Sequence, residues 1–308
     1  MQKTNVNKTI HEGFKEFYRF CRVKNLSQST LEYYEVVLND FSKFLPLDNQ
    51  ISDITSTMIE DYILFLRKNT NLNDTSINTK LKGLRVILYY WMKLEYLEKF
   101  KINAIKVEKK LKETYTDAEL KILLVKPNLN KCSFVEYRDW VIINYLLATG
   151  NRSGTICNLE IGDIDFESGY IQLRKTKNKR QQIIPLSDTL AKVLNEYLQY
   201  RNGDIDDYLF VSAYGEKLNR NSLANSIRNY NQRRGVMKTG VHLFRHTFAK
   251  KWIMNGGDIF RLQKILGHST LDMVKEYVNI YGYDLQRDYE KFNPLERMTD
   301  KKSYIKLK

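Results

Sequence analysis

The chain has 308 residues, 43% hydrophobic and 12% aromatic, which excludes disorder and leaves room for two domains with their own cores. No apolar run approaches the roughly 18–20 residues of a membrane helix, MQKTNVNKTIHEGF lacks the apolar stretch of a signal peptide, and Cys21, Cys132 and Cys157 form no CxxC, so a cytoplasmic protein with reduced thiols is expected. A formal charge of +14 and a pI near 9.4 favour a polyanionic partner, because each neutralised phosphate releases condensed counterions.

The first hundred residues read as four helices. One spans about Thr9 to Val23, with Ile10, Phe14, Phe17, Tyr18 and Cys21 at helical spacing. A second opens at Ser29, where Ser29-x-x-Glu32 fits a capping box, and carries Leu31, Tyr34, Leu38, Phe41 and Leu45. A third follows DITST with Ile59, Tyr62, Ile63 and Leu66, and a fourth covers roughly Thr75 to Leu97, with basic Lys80, Lys82 and Arg85. Lysine-rich KINAIKVEKKLKET then reads as a linker, ending where Thr116-x-x-Glu119 caps a new helix.

Beyond it, VEYRDWVIINYLLATG is a strongly apolar helix stopped by Gly150. DIDFESGYIQLRKTKNKRQQIIPL places β-rich pieces around a KTKNKR turn, a hairpin or small three-stranded sheet. Helical periodicity returns near Leu190 and dominates the rest. From Lys217 to Gly257 no Asp or Glu occurs, while Arg220, Arg228, Arg233, Arg234 and Lys238 fall there with Lys217, Arg245, Lys250 and Lys251. A solvated face mixes signs, so this stretch suggests phosphates nearby.

Metal sites fit poorly. His242 and His246 share a helix face, but a zinc protease needs Glu directly after the first histidine, and Leu243 stands there. Counting from Asp163, DIDFESG puts Ser168 where a calcium loop needs Gly and Arg174 where it needs Glu. No acidic cluster accompanies the basic region to hold the ions of a two-metal nuclease. Phosphodiester transfer without metal needs a nucleophile, cations for the non-bridging oxygens and an acid for the leaving oxygen. Tyrosine, arginine's planar fork, and lysine or histidine supply these, and all gather between HLFRHTFAKKW and ILGHSTLDMVKEYVNIYG.

ATGNR contains Arg152, KTKNKR contains the lysines, HLFRH contains His242 and Arg245, ILGHS contains His268, and Tyr277 stands nine residues later. In this order they resemble the tyrosine recombinase family, the phage-integrase and Xer-type enzymes that cut and rejoin DNA without metal or ATP. The resemblance runs from about Tyr115 to Tyr283. The N-terminal half is similar to the family's core-binding domain in STLEYYEVVLNDFSKFL and TSINTKLKGLRVIL.

The resemblance implies a mainly α protein with a small antiparallel β-sheet, forming a clamp on DNA. A helical, SAM-like core-binding domain would occupy residues 1–101, a linker 102–114, an α+β catalytic domain 115–285, and a tail 286–308 packing in trans through Tyr304, Ile305 and Leu307. It implies that Arg152 and Arg245 clamp the scissile phosphate, Lys177 protonates the 5′ oxygen, His242 assists proton transfer, His268 hydrogen-bonds a non-bridging oxygen, and Tyr277 attacks. Counting back from Pro185 favours Lys177, with Lys175 and Lys179 as further candidates or phosphate contacts; Tyr281 and Tyr283 are rivals to Tyr277. Thr155 departs from the pattern, standing where the family carries an acid three residues after the first arginine. DNA contacts are expected from Lys80, Lys82, Arg85, Lys175, Lys179, Arg220, Arg228, Arg233, Arg234 and Lys238.

The implied partners are double-stranded DNA core sites, a homotetramer on two duplexes and an accessory directionality factor, with no cofactor, no metal and no membrane, at a bacterial nucleoid. Within the family the motifs GNRSGT and EYVNIYG lean towards a mobile-element integrase or transposase, against an Xer-like resolvase. The rivals are a DNA-binding protein of the same fold without the chemistry and a type IB topoisomerase-like relaxing enzyme.

Overall fold

The computed structural model describes residues 7–107, 113–174, 181–268, 270–271, 289 and 293–298. The chain divides into two compact units, Met1–Lys110 and Leu111–Lys308.

The first unit is helical. Helix α1 (Ile10–Val23) opens on a capping box in which Thr9 Oγ1 accepts from the Glu12 N–H and Glu12 Oε2 accepts from the Thr9 N–H. Its buried face, Ile10, Gly13, Phe17 and Cys21, meets Trp91. Gly13 is needed there: a Cβ would stand 2.3 Å from Ile51 Cδ1, and the Gly13 carbonyl accepts from Trp91 Nε1 at 3.0 Å. Helix α2 (Gln28–Ser42) starts earlier than the Ser29 box suggests. Its N-cap is Ser27, whose hydroxyl bonds the hydroxyls of Ser29 and Thr30, while the Glu32 carboxylate accepts from Gln28 Nε2 at 3.2 Å. Three neighbouring hydroxyls satisfy one another, so no backbone capping box forms.

Helix α3 (Ser56–Asn69) is capped by Thr55, and α4 (Asp74–Lys93) by Asn73. Helix α4 ends four residues before Leu97, where Glu95 takes a left-handed φ of 60°, yet Leu97 still packs into the core. Each large side chain so buried contributes about 1.5–3 kcal/mol. The unit extends into the lysine-rich stretch: Ile102 is buried, and both the N–H and the carbonyl of Ile105 bond the Asn78 side chain at 2.8 Å.

The second unit is built around α6 (Phe134–Thr149). Its apolar residues are spread around the helix, which makes it a central helix with Val141, Ile142, Ile143, Tyr145 and Leu146 fully buried. Helix α5 (Asp117–Leu123) precedes it behind the Thr116–Glu119 capping box. Two charges enter the interior together. Arg138 bonds Asp139, the Val211 carbonyl and the Ser226 hydroxyl, and Ser226 donates to Asp139. This closed network leaves neither charge uncompensated, although burial still pushes the Asp139 carboxyl above its ordinary pKa against the pull of Arg138.

After the short helix α7 (Ser153–Ile156), strands β1 (Ile164–Asp165), β2 (Tyr170–Leu173) and β3 (Gln182–Pro185) form an antiparallel sheet in chain order. Ile171 opposes Ile184, and Ile171, Leu173 and Ile184 form its buried face. Helices α8 (Asp188–Arg201), α9 (Arg220–Arg233), α10 (Val241–Met254) and α11 (Ile259–Leu266) follow. Helical structure does not continue unbroken from Leu190. Between α8 and α9 the chain runs as turns with isolated bridges Glu160↔Tyr208 and Val211↔Lys217, around Gly203 and Gly215. Residues Pro294–Met298 form a further short helix, α12. Among the described residues no helix is long and apolar enough to cross a membrane.

Candidate active site

Two helix ends meet in the second unit. Helix α6 stops at Gly150, at φ +62°, and α11 stops at Gly267, at φ +60°. Both positions need glycine on conformational grounds. A Cβ on Gly150 would also lie 2.6 Å from Phe248 and 2.8 Å from Leu266, so the close approach of the two ends depends on it. Arg152 follows directly as the N-cap residue of α7, half-buried.

Arg245, on the second turn of α10, ties the ends together. It is 5% exposed; Nη1 donates to the Gly150 carbonyl at 2.9 Å and Nη2 to the Leu266 carbonyl at 2.9 Å. Nη2 also lies 2.5 Å from His268 Nε2. A guanidinium has only donors, so Nε2 is the acceptor and the ring proton sits on Nδ1. The positive charge stays buried because it faces the negative ends of two helix dipoles. Arg152 reaches the same turn, its Nη2 donating to the Gly267 carbonyl at 3.5 Å.

The structure therefore brings together Arg152, Arg245 and His268. His242 stands exposed on the first turn of α10, one turn before Arg245. Lys175, Lys177, Lys179, Tyr277, Tyr281 and Tyr283, together with Tyr304, Ile305 and Leu307, lie outside the described residues. Thr155 is buried, and its N–H donates to the Arg152 carbonyl at 2.9 Å. On the guanidinium side, a backbone carbonyl of the α11 end contacts Arg152.

Arg152 and Arg245 thus converge on the end of α11 beside an imidazole; guanidinium groups suit phosphate oxygens because they donate in parallel and stay charged at any physiological pH. The sequence comparisons fit this chemistry. The Phage integrase family profile matches residues 115–282, and the profile described as phage integrase, N-terminal SAM-like domain, matches 14–98. The chain belongs to the phage integrase family of tyrosine recombinases. Members are enzymes that cleave and rejoin DNA at specific sites.

The recombinase is 29% identical to the tyrosine recombinase XerA of Pyrococcus furiosus over 294 residues, 93% of this chain and 96% of the relative. Its fold is similar to that of the Tn1549 transposon integrase solved with a circular intermediate DNA, with a TM-score of 0.74 at 19% identity, covering 92% of this chain and 99% of that one. It is also similar to a λ integrase tetramer bound to a Holliday junction, with a TM-score of 0.71 at 18% identity, covering 89% of this chain and 78% of that one. The predicted mainly helical fold with a small sheet, a SAM-like N-terminal domain and a catalytic domain is thus the fold of this recombinase.

The expected DNA contacts divide by environment. Lys82 and Arg85 line a cleft on α4 with Asn78 and residues 102–104. Arg220, Arg228 and Arg233 are exposed, with the Arg220 guanidinium resting against Gly154, where a Cβ would stand 2.7 Å from Nη2. Lys80 instead pairs with Asp40, Arg234 with Glu136 at 3.2 Å, and Lys238 with Glu119 at 3.0 Å. The acid-free stretch is therefore not free of acids in space: Asp117, Glu119 and Glu136 come to it from α5 and α6.

Two features escaped the sequence reading. Lys15, Arg19 and Arg22 share an exposed face of α1, a spacing visible in the sequence. Gln182, at the start of β3, donates from Nε2 to the carbonyls of Lys264 at 2.5 Å and Ile265 at 2.8 Å. No local pattern marks it, because its partners are 82 and 83 residues away.

Proposed function

We propose that this enzyme is a site-specific DNA recombinase acting through a 3′-phosphotyrosyl intermediate. The convergence of Arg152, Arg245 and His268 on one helix end carries the reading. In this scheme the Tyr277 hydroxyl gives its proton to His242 as its oxygen attacks the scissile phosphorus in line. The P–O5′ bond breaks as the P–O bond to tyrosine forms, and Lys177 gives its proton to the departing 5′ oxygen. Arg152 and Arg245 stabilise the charge on the non-bridging oxygens, His268, protonated at Nε2 once that atom is released from Arg245, donates a hydrogen bond to one of them, and His242 assists proton transfer. Attack by a 5′ hydroxyl reverses the step, so bond energy is conserved and no nucleotide is consumed.

Exchange of strands in pairs would pass through a Holliday junction within a homotetramer on two core sites, with the tail from residue 286 packing in trans and an accessory factor setting direction. Both units would supply phosphate contacts, from Lys82 and Arg85 in one and Arg220, Arg228 and Arg233 in the other. The biological role we favour is integration or transposition of a mobile element at a bacterial nucleoid, supported by the motifs GNRSGT and EYVNIYG. Likeness to XerA over nearly the whole of both chains supports Xer-like dimer resolution as the second reading.

The test is covalent trapping on a nicked suicide duplex spanning the joined ends of the encoding element. Wild type is expected to give a denaturant-resistant adduct mapped to Tyr277, and Tyr277→Phe none. An adduct on Tyr281 or Tyr283 would reassign the nucleophile; binding without any adduct would leave a DNA-binding protein. A two-site assay then separates the roles, since an integrase joins element ends to a second site and a resolvase acts on directly repeated copies of one site.

A further inference from the structure

The last carbonyls of a helix have no partner within it. At the end of α11 successive carbonyls each receive a side-chain donor: Lys264 and Ile265 from Gln182, Leu266 from Arg245, Gly267 from Arg152, and His268 from Gln263 at 3.3 Å. Two of these donors are the arginines assigned to the scissile phosphate. Their orientation is thus referred to one turn of backbone, and the neutral Gln182 side chain ties that turn to the sheet. Gly267 keeps the arrangement open, because a Cβ there would lie 2.7 Å from Gln182 Oε1 and 3.8 Å from Arg152 Nη1.

We infer that Gln182 is a positioning residue for the cleavage step: by capping the Lys264 and Ile265 carbonyls from β3, it fixes the turn whose next two carbonyls aim Arg245 and Arg152. It touches neither DNA nor the reacting atoms in this role. The turn takes over the bracing that Thr155, lacking a carboxylate, does not give Arg152. The inference rests on Arg152 being a phosphate ligand, as proposed above.

Gln182→Glu keeps the shape and replaces both donors with acceptors facing carbonyls; Gln182→Arg keeps two donors on a planar fork. Single-turnover cleavage is measured on the suicide duplex with either a phosphodiester or an uncharged methylphosphonate at the scissile position, beside duplex affinity and thermal midpoint. Gln182→Glu is expected to slow phosphodiester cleavage by about tenfold, the rate equivalent of roughly 1.4 kcal/mol and the scale of two lost hydrogen bonds, with affinity unchanged. The deficit should shrink on the methylphosphonate, where no anionic oxygen demands an aimed guanidinium, and Gln182→Arg should cleave close to the wild-type rate. Gln182→Asn, too short to span both carbonyls, gives the same reading should the glutamate variant fail to fold. Arg152→Ala is the reference. If it recovers on the methylphosphonate while Gln182→Glu or Gln182→Asn is equally impaired on both duplexes, or cleaves the phosphodiester normally, Gln182 is not a positioning residue. If Arg152→Ala does not recover either, the assignment of Arg152 to the phosphate is what falls.

Discussion

The two units of this recombinase are held by different kinds of contact. In the first, α1 to α4 each present an apolar stripe, and the stripes close on Phe17, Tyr62 and Trp91. In the second, the groups that matter meet across long sequence separations: Arg245 bonds a carbonyl 95 residues away, and Arg152 one 115 residues away. A helical core tolerates changes that keep volume and period. A site made from two helix ends depends on single atoms in backbone conformations that only a few residues adopt.

The largest expected effect tests the first half of that comparison. Trp91→Ala removes a fully buried ring and its hydrogen bond to Gly13, and should destabilise the first unit by about 3–5 kcal/mol. Calorimetry should show one transition lowered and the other in place; a common shift of both would mean that the units do not unfold separately.

Gly150→Ala is the complementary change. The left-handed φ costs on the order of 1–3 kcal/mol, and the clash with Phe248 and Leu266 would part the helix ends bridged by Arg245. Cleavage should fall more than stability does. Loss of stability with cleavage intact in the folded fraction would show that the meeting of the ends is structural only.

The smallest effect concerns a pair outside both centres. Burial raises the pKa of Glu119, but the Thr116 N–H, Lys238 and the Thr116 hydroxyl outweigh it and hold the carboxyl below its ordinary value. A carboxylate depressed in the folded state contributes stability above the ordinary carboxylate range, and this is lost as pH falls through the lower folded value. Glu119→Gln should therefore cost under about 1 kcal/mol at neutral pH for this half-exposed group, and the difference from wild type should vanish in acid. A gap that widens with acid would reverse the sign.

Much of this was legible beforehand. The apolar period placed α1, α3 and α6 closely, because helix burial and sequence spacing share one geometry. Gly150 and the Thr116–Glu119 box marked real boundaries, since their chemistry is confined to adjacent residues. The α2 start was misplaced, as three hydroxyls near Ser27 offered rival partners that spacing does not rank. The ordered motifs named Arg152, Arg245 and His268 as a group, but not what aims them.

By itself the sequence determined the helical elements, the basic excess and the residue types of the proposed phosphate-binding site, all of which depend on local spacing or composition. Only the tertiary structure decided which cations already have acids beside them, since Asp117, Glu119 and Glu136 reach the acid-free stretch from other helices. It alone decided what braces the arginines. The end of α11 leaves backbone carbonyls without partners, every residue carries such a carbonyl, and folding selects which of them face Gln182, Arg245 and Arg152.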